Sequence, residues 1–287
     1  MNCEDTFFIE ETDIEILMHK EVHFSGEFPL MLEYYYNEGK GIQEAFEIDR
    51  IERLAVFEKQ SPSPLIDALL GEEDLVKIQK AKESYLKLKK ASSPAEKKIA
   101  DLILSEEENP EEIKESLYKM GEKVIPLLIS LLKKEEFYDP LFPGYGLAPS
   151  LAGECLGLLQ AKEAVIPLFE AIPKAEFFSE QPLVAALFQI GDAAKEFLLS
   201  QVKKTPITKE NENAAIALLP FQEDPAVIST CLTLLEMVEV QKRPVFFTYL
   251  LFIMDSLQDP VSRARLENLR KCPLSPELLE ELEWTLR

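Results

Sequence analysis

Basic residues are in deficit, glycine is scarce and histidine is nearly missing. The chain carries 31 Lys and Arg against 52 Asp and Glu, a formal net charge of −21, with 10 Gly and 2 His in 287 residues. A surface of that sign repels nucleic acid and anionic bilayers unless a local basic stripe overrides it. It attracts a cationic patch on another protein, and such association is fast and salt-sensitive. Long apolar runs are lacking: stretches such as Pro244 to Met254 fall well short of a membrane span. Met1 to Glu11 shows no basic segment followed by an apolar run, so no secretory signal is expected. The four cysteines, Cys3, Cys155, Cys231 and Cys272, form no Cys-x-x-Cys pair, which points to reduced thiols in a cytoplasmic chain. With both histidines in one predicted helix, no serine or cysteine nucleophile can be paired with a base.

What is abundant favours helix. Hydrophobic residues make up 46% of the chain, ample for a packed core and too many for a disordered protein. Leu, Ala, Glu and Lys dominate and have high helix propensity. The 19 prolines cut the helices short.

From about Pro110 the segments repeat. Gly121-Glu122-Lys123-Val124-Ile125-Pro126-Leu127-Leu128 is echoed by Ala161-Lys162-Glu163-Ala164-Val165-Ile166-Pro167-Leu168-Phe169. The shared Val-Ile-Pro-Leu places a proline where the first turn of a helix has free N–H groups anyway, so each marks the second helix of a pair. In Ala185 to Ala194, Gly191 suits a left-handed helix end and Asp192 is expected to cap the helix that follows. Asp224-Pro225 and Asp259-Pro260 repeat the order of cap and then proline. The turns near Gln160, Gly191, Gln222 and Gln258 recur at roughly 30 to 37 residues, the period of two-helix repeat units.

An Ala-rich helix, a Gly-Asp turn and a helix opening on Ala-Val-x-Pro-Leu together resemble the HEAT-like repeats first described in phycobilisome lyases. The resemblance covers about Pro110 to Lys271, in about five units. It implies an α-solenoid and says little of chemistry. The sequence departs from the pattern in lacking a regular Val-Arg pair in the second helices, where Ser262-Arg263 comes nearest. HEAT-like hydroxylases bind iron through His-Glu pairs, and this chain has no His-Glu dipeptide. HEAT-like DNA glycosylases use a basic groove with aromatic residues; here the array is acidic and the sole tryptophan, Trp284, lies in the last helix. The expected fold is all-α: an N-terminal helical region over 1–107, and a HEAT-like array over 108–287 closed by a helix that opens on Ser275-Pro276-Glu277. Glu106-Glu107-Glu108-Asn109-Pro110 marks the boundary.

Three places stand out as candidate sites. His19 and His23, four apart on a helix predicted over 12–22 and beyond, can point the same way and share a metal, although two ligands are few. The segment from Phe137 to Pro149 interrupts the array with four aromatics on a Pro/Gly frame. Tyr138, Asp139, Phe142 and Tyr145 are its candidate partner-binding residues, because aromatics on a stiff loop offer contact area at little entropic cost. The competing reading is that Phe142 and Leu147 seal the helices beneath. In Leu32-Glu33-Tyr34-Tyr35-Tyr36, three successive tyrosines span so wide an arc that one faces solvent or a partner, and Tyr35 is the candidate. The lysines from Lys77 to Lys98 form the one basic region, which is a solvated face, a dock for the acidic N-terminal segment or a site for an acidic ligand.

The function these features imply is a non-catalytic scaffold or adaptor that binds another protein, one with a basic patch, through the concave face of the array and the aromatic loop. No cofactor, nucleic acid or membrane enters this reading, and the oligomeric state is left open. The alternative is a lyase-type or other cofactor-handling enzyme with a pocket between the N-terminal region and the array. Calorimetric titration with zinc checks the histidine pair: heat at micromolar zinc supports a metal site, and its absence removes it.

Overall fold

The structure, a computed structural model, describes residues 10–24, 26–38, 46–61, 64–66, 71–105, 110–139, 146–175, 180–255 and 257–287. The boundary expected at 106–110 falls almost wholly outside them, as do Phe142 and Tyr145. Every regular element among the described residues is a helix, and no helix there is long and apolar enough to cross a membrane. Backbone contacts divide the chain into two compact units, Met1–Ala152 and Gly153–Arg287.

The first unit opens with α1 (Glu11–His23), α2 (Phe28–Glu38) and α3 (Ile48–Glu58), which all pack on one another. Leu17, Met31, Ile51 and Leu54 are wholly buried between them. Next come α4 (Glu72–Lys89), α5 (Pro94–Ile103), α6 (Pro110–Met120) and α7 (Ile125–Lys133). α5 packs against α4, α6 and α7, and Ile78 of α4 packs on the α1–α3 core.

The second unit takes up the end of α8 (Ala148–Leu158) and continues through α9 (Val165–Ala171), α10 (Gln181–Ile190), α11 (Asp192–Val202), α12 (Lys209–Leu218) and α13 (Pro225–Leu235). A short α14 (Val238–Gln241), then α15 (Pro244–Phe252), α16 (Pro260–Asn268) and α17 (Pro276–Thr285) complete it. α10 packs on α12, α12 on α15 and α15 on α17. Likewise α9 packs on α11 and α13 on α16. The apolar stretch from Pro244 is a core helix: Phe246, Phe247, Leu250 and Leu251 of α15 have no exposed surface.

Local chemistry explains where the helices begin and end. Asp224 accepts hydrogen bonds from the N–H groups of Ala226 (2.8 Å) and Val227 (3.3 Å), and Asp259 accepts one from Ser262 N–H (2.8 Å), so both act as the expected caps. Asp192 does not cap. Gly191 holds the cap position, and Asp192 is the first helical residue, its carboxylate 2.8 Å from Lys195. A negative charge there still favours the helix through its dipole. Gly121, Gln160 and Gly191 take positive φ at +65°, +50° and +81°, each just past α6, α8 and α10. A single left-handed residue therefore ends each of these helices, one residue past α6 and α10 and two past α8.

Small residues set how closely the helices approach. A Cβ on Gly157 would stand 2.7 Å from the Cα of Ala186, so α8 meets the backbone of α10 there. On α12, Ala214, Ala215 and Ala217 are wholly buried, which lets four neighbours close around one helix.

Gly157→Val is expected to cost at least about 2 kcal/mol, since backbone rather than a side chain must yield. Gln160→Gly is expected to add about 0.5–1 kcal/mol by relieving a left-handed non-glycine residue. Urea unfolding followed by circular dichroism checks both.

Candidate functional site

Two ion pairs tie α1 to α3. Asp13 is fully buried, and Arg50 donates to both of its oxygens at 2.5 and 2.9 Å. The same carboxylate accepts the Glu10 backbone N–H at 2.8 Å, so it closes the cap of α1 as well. Two turns on, Lys20 is also fully buried; its ammonium lies 2.7 and 2.8 Å from the oxygens of Glu58 and 4.6 Å from the centre of the Phe28 ring. Glu58 further accepts Leu65 N–H at 3.1 Å. N-terminal pairs with N-terminal and C-terminal with C-terminal, so α1 and α3 run in the same direction. Burial works to raise the pKa of Asp13, but the hydrogen bonds and charge of Arg50 and the Glu10 N–H outweigh it and hold the carboxyl below its ordinary 3.8. These are contacts that position helices.

The histidines sit in the same core. His19 is fully buried, its ring 4.6 Å from that of His23 and edge-on to Phe46 at 5.3 Å. The Tyr35 hydroxyl lies 3.2 Å from His19 Nε2. Tyr35, the candidate for a partner contact, is thus a core residue with 1% exposure. The tyrosine on the surface is Tyr36, at 56% exposure, which donates to Glu52. Among the described residues no group of three or more His, Cys, Asp or Glu is arranged to hold a metal ion.

Of the candidate binding residues in the aromatic loop, Tyr138 and Asp139 are described, and both engage their own unit. The Tyr138 hydroxyl donates to the Leu132 carbonyl at 2.8 Å, and burial pushes its pKa upward. Asp139 lies 3.9 Å from Lys77. Its neighbour Glu136 is buried, accepts from Ser84 at 2.8 Å and lies 3.4 Å from Lys80. The basic face of α4 therefore meets the acidic segment that follows α7. The acidic groups described against it come from a segment 52 residues beyond Ser84, a pairing that the sequence reading, which offered the acidic N-terminal segment, did not include.

Open concavities lie elsewhere, on the second unit. One, of about 340 Å³, runs between the end of α11 and α13; Lys203 and Lys204 stand on one side, Ser229, Thr233 and Leu234 on the other. A second, of about 510 Å³, runs between α13 and the start of α16, with Glu223, Asp259 and Arg265 at its edges. Ser229 lines both. Arg265 is held by Glu236 through two bonds of 2.9 Å, so its charge is answered within the protein. The wall formed by residues 203–207 is braced from behind. Asn211, fully buried, donates to the carbonyls of Gln201, Val202 and Lys204 at 3.2, 3.1 and 2.9 Å.

No family model, curated protein or solved structure matches this chain.

The two concavities escaped the sequence reading because their walls come from three helices of ordinary composition. The one local signal is Ser229, Thr230 and Thr233, three hydroxyls on a helix that is otherwise apolar. Neither described cavity has an assembled nucleophile and base. Cys231, on the same helix, is wholly buried, and burial pushes its thiol up to about 12, leaving it protonated and inert.

Glu58→Gln is expected to cost about 2 kcal/mol, because the buried Lys20 ammonium is left with Glu21 alone at 3.4 Å, and Lys20→Met less, because Glu58 keeps some solvent; urea unfolding separates the two. The depressed pKa of Asp13 stabilises the fold above about pH 4, and that stability is lost as pH falls through the folded-state value. Thermal melts from pH 6 to pH 2.5 should accordingly fall less steeply below pH 4 for Asp13→Asn than for the unsubstituted chain.

Proposed function

We propose that the chain is a protein-binding scaffold whose second unit is a HEAT-like α-solenoid, with the second helices of its pairs lining the binding face. The packing order supports this. α10, α12, α15 and α17 form one contiguous row, while α9 packs on α11 and α13 on α16 in the other. Stacked pairs make such double rows because each short helix can bury its apolar side only against the next unit. The left-handed residue recurring after α6, α8 and α10 adds a local signature of the same repeat.

The observation that carries the binding role is the pair of adjoining concavities on α11, α13 and α16, with mixed apolar and hydroxyl walls. Grooves of that kind admit a chain segment, with apolar area for affinity and a few polar groups for register. The net charge of −21 favours a partner with a basic patch and speeds its approach.

The test is affinity capture by the full chain from a native extract, followed by cross-linking of the captured protein. Ser229→Arg, placed where both concavities meet, should abolish capture while leaving the melting temperature unchanged, and 0.5 M salt should weaken it. Capture indifferent to Ser229→Arg, with cross-links outside these helices, would overturn the reading.

A further inference from the structure

The two concavities differ in charge and are joined by a low crest. The first has Lys203 and Lys204 at its mouth, with Lys204 only 3.9 Å from Glu210. The second has Glu223 and Asp259 at its mouth, and its one cation, Arg265, is taken up by Glu236. Between them runs α13, whose crest carries Ser229 and Thr233. The Thr233 hydroxyl donates to the Ser229 carbonyl at 2.9 Å, so it lies along the helix rather than standing across the path. A large residue at 229 would wall off one concavity from the other; serine does not. The path begins at the C-terminal end of α11, crosses the middle of α13 and ends at the N-terminal end of α16.

Resting on the scaffold reading, we infer that this diagonal path takes one extended peptide segment of a partner, acidic at the end that meets Lys203 and Lys204 and basic at the end that meets Glu223 and Asp259. Charge complementarity selects that occupant. A uniformly basic segment meets two lysines at one mouth, and a uniformly acidic one meets two carboxylates at the other. Small and apolar side chains suit the middle, against Ser229, Thr233 and Leu234. Crossing three helices at about 9–10 Å each, on a slant along α13, spans about 25–30 Å, or roughly eight residues of extended chain. The wall at residues 203–207 is already held by Asn211, so little order remains to be imposed there on binding.

The experiment uses the full chain and displayed nonapeptide libraries with random small and apolar centres. One pair of libraries has two acidic residues at one end and two basic residues at the other, in both chain directions; the controls have both ends acidic or both ends basic. Selected peptides are labelled with fluorescein and titrated by anisotropy, with circular dichroism as the check on folding. The bipolar libraries should be enriched over both controls. Lys203→Glu with Lys204→Glu should weaken the selected peptide about ten-fold, and replacing its acidic end with lysines should restore binding. Glu223→Lys should weaken the same peptide through its basic end. Equal enrichment of a single-sign library, or titrations unmoved by the charge reversals, would overturn the inference. If captured proteins survive these reversals but are lost with Ser229→Arg, the bipolar peptide falls and the scaffold stands. If neither substitution affects capture, the scaffold reading falls with it.

Discussion

Short helices that cannot bury their apolar sides alone are the constraint on which this protein depends. α9 to α13 run from 7 to 11 residues each, too short to persist in water without tertiary cover. α12 shows the solution. Its buried alanines draw in α9, α10, α11 and α15, so the cover for one helix comes from neighbours on both sides in sequence. Gly157 does the same for α8, which it brings onto the backbone of α10. Large side chains at these positions would part the helices and expose what they now bury.

The N-terminal helices are held by a different device. Asp13–Arg50 and Lys20–Glu58 link α1 and α3 two turns apart, and the spacing of the two pairs admits one register. Charges buried in this way contribute less to net stability than apolar residues of equal volume, but they penalise misalignment heavily, because a slipped register strands a charge away from water. The same core holds His19, Tyr35 and Phe46 in edge-to-face contact, which turns aromatic residues that looked available for a partner into packing.

The proposed binding face follows from the way α11, α13 and α16 meet and needs no special element of its own. Two grooves arise where α13 faces the end of α11 and the start of α16. Their edges carry opposite charges because the turns that connect the helices do: Lys203 and Lys204 follow a helix C-terminus, while Asp259 caps a helix N-terminus and Glu223 precedes another. Helix dipoles favour that distribution, so the polarity proposed for the bound segment grows from the rules that end and begin the helices. Net negative charge elsewhere on the chain acts at longer range, on the approach of a partner.

Local signals determined much of this protein. The all-helical class, the cap-and-proline starts at Asp224 and Asp259, and the left-handed turn at Gly191 were all legible in the sequence, because each rests on interactions within a few residues. Asp192 misled for a related reason: a cap and a first-turn acid look alike in sequence, and one residue of register separates them. Tertiary structure alone decided the rest. It buried Tyr35 and left Tyr36 exposed, paired Lys20 with a glutamate 38 positions away, and set Lys203 opposite Ser229 to open a groove. Those outcomes depend on which helix faces come together across long stretches of chain, and residue spacing within one helix carries no record of the helix that will face it.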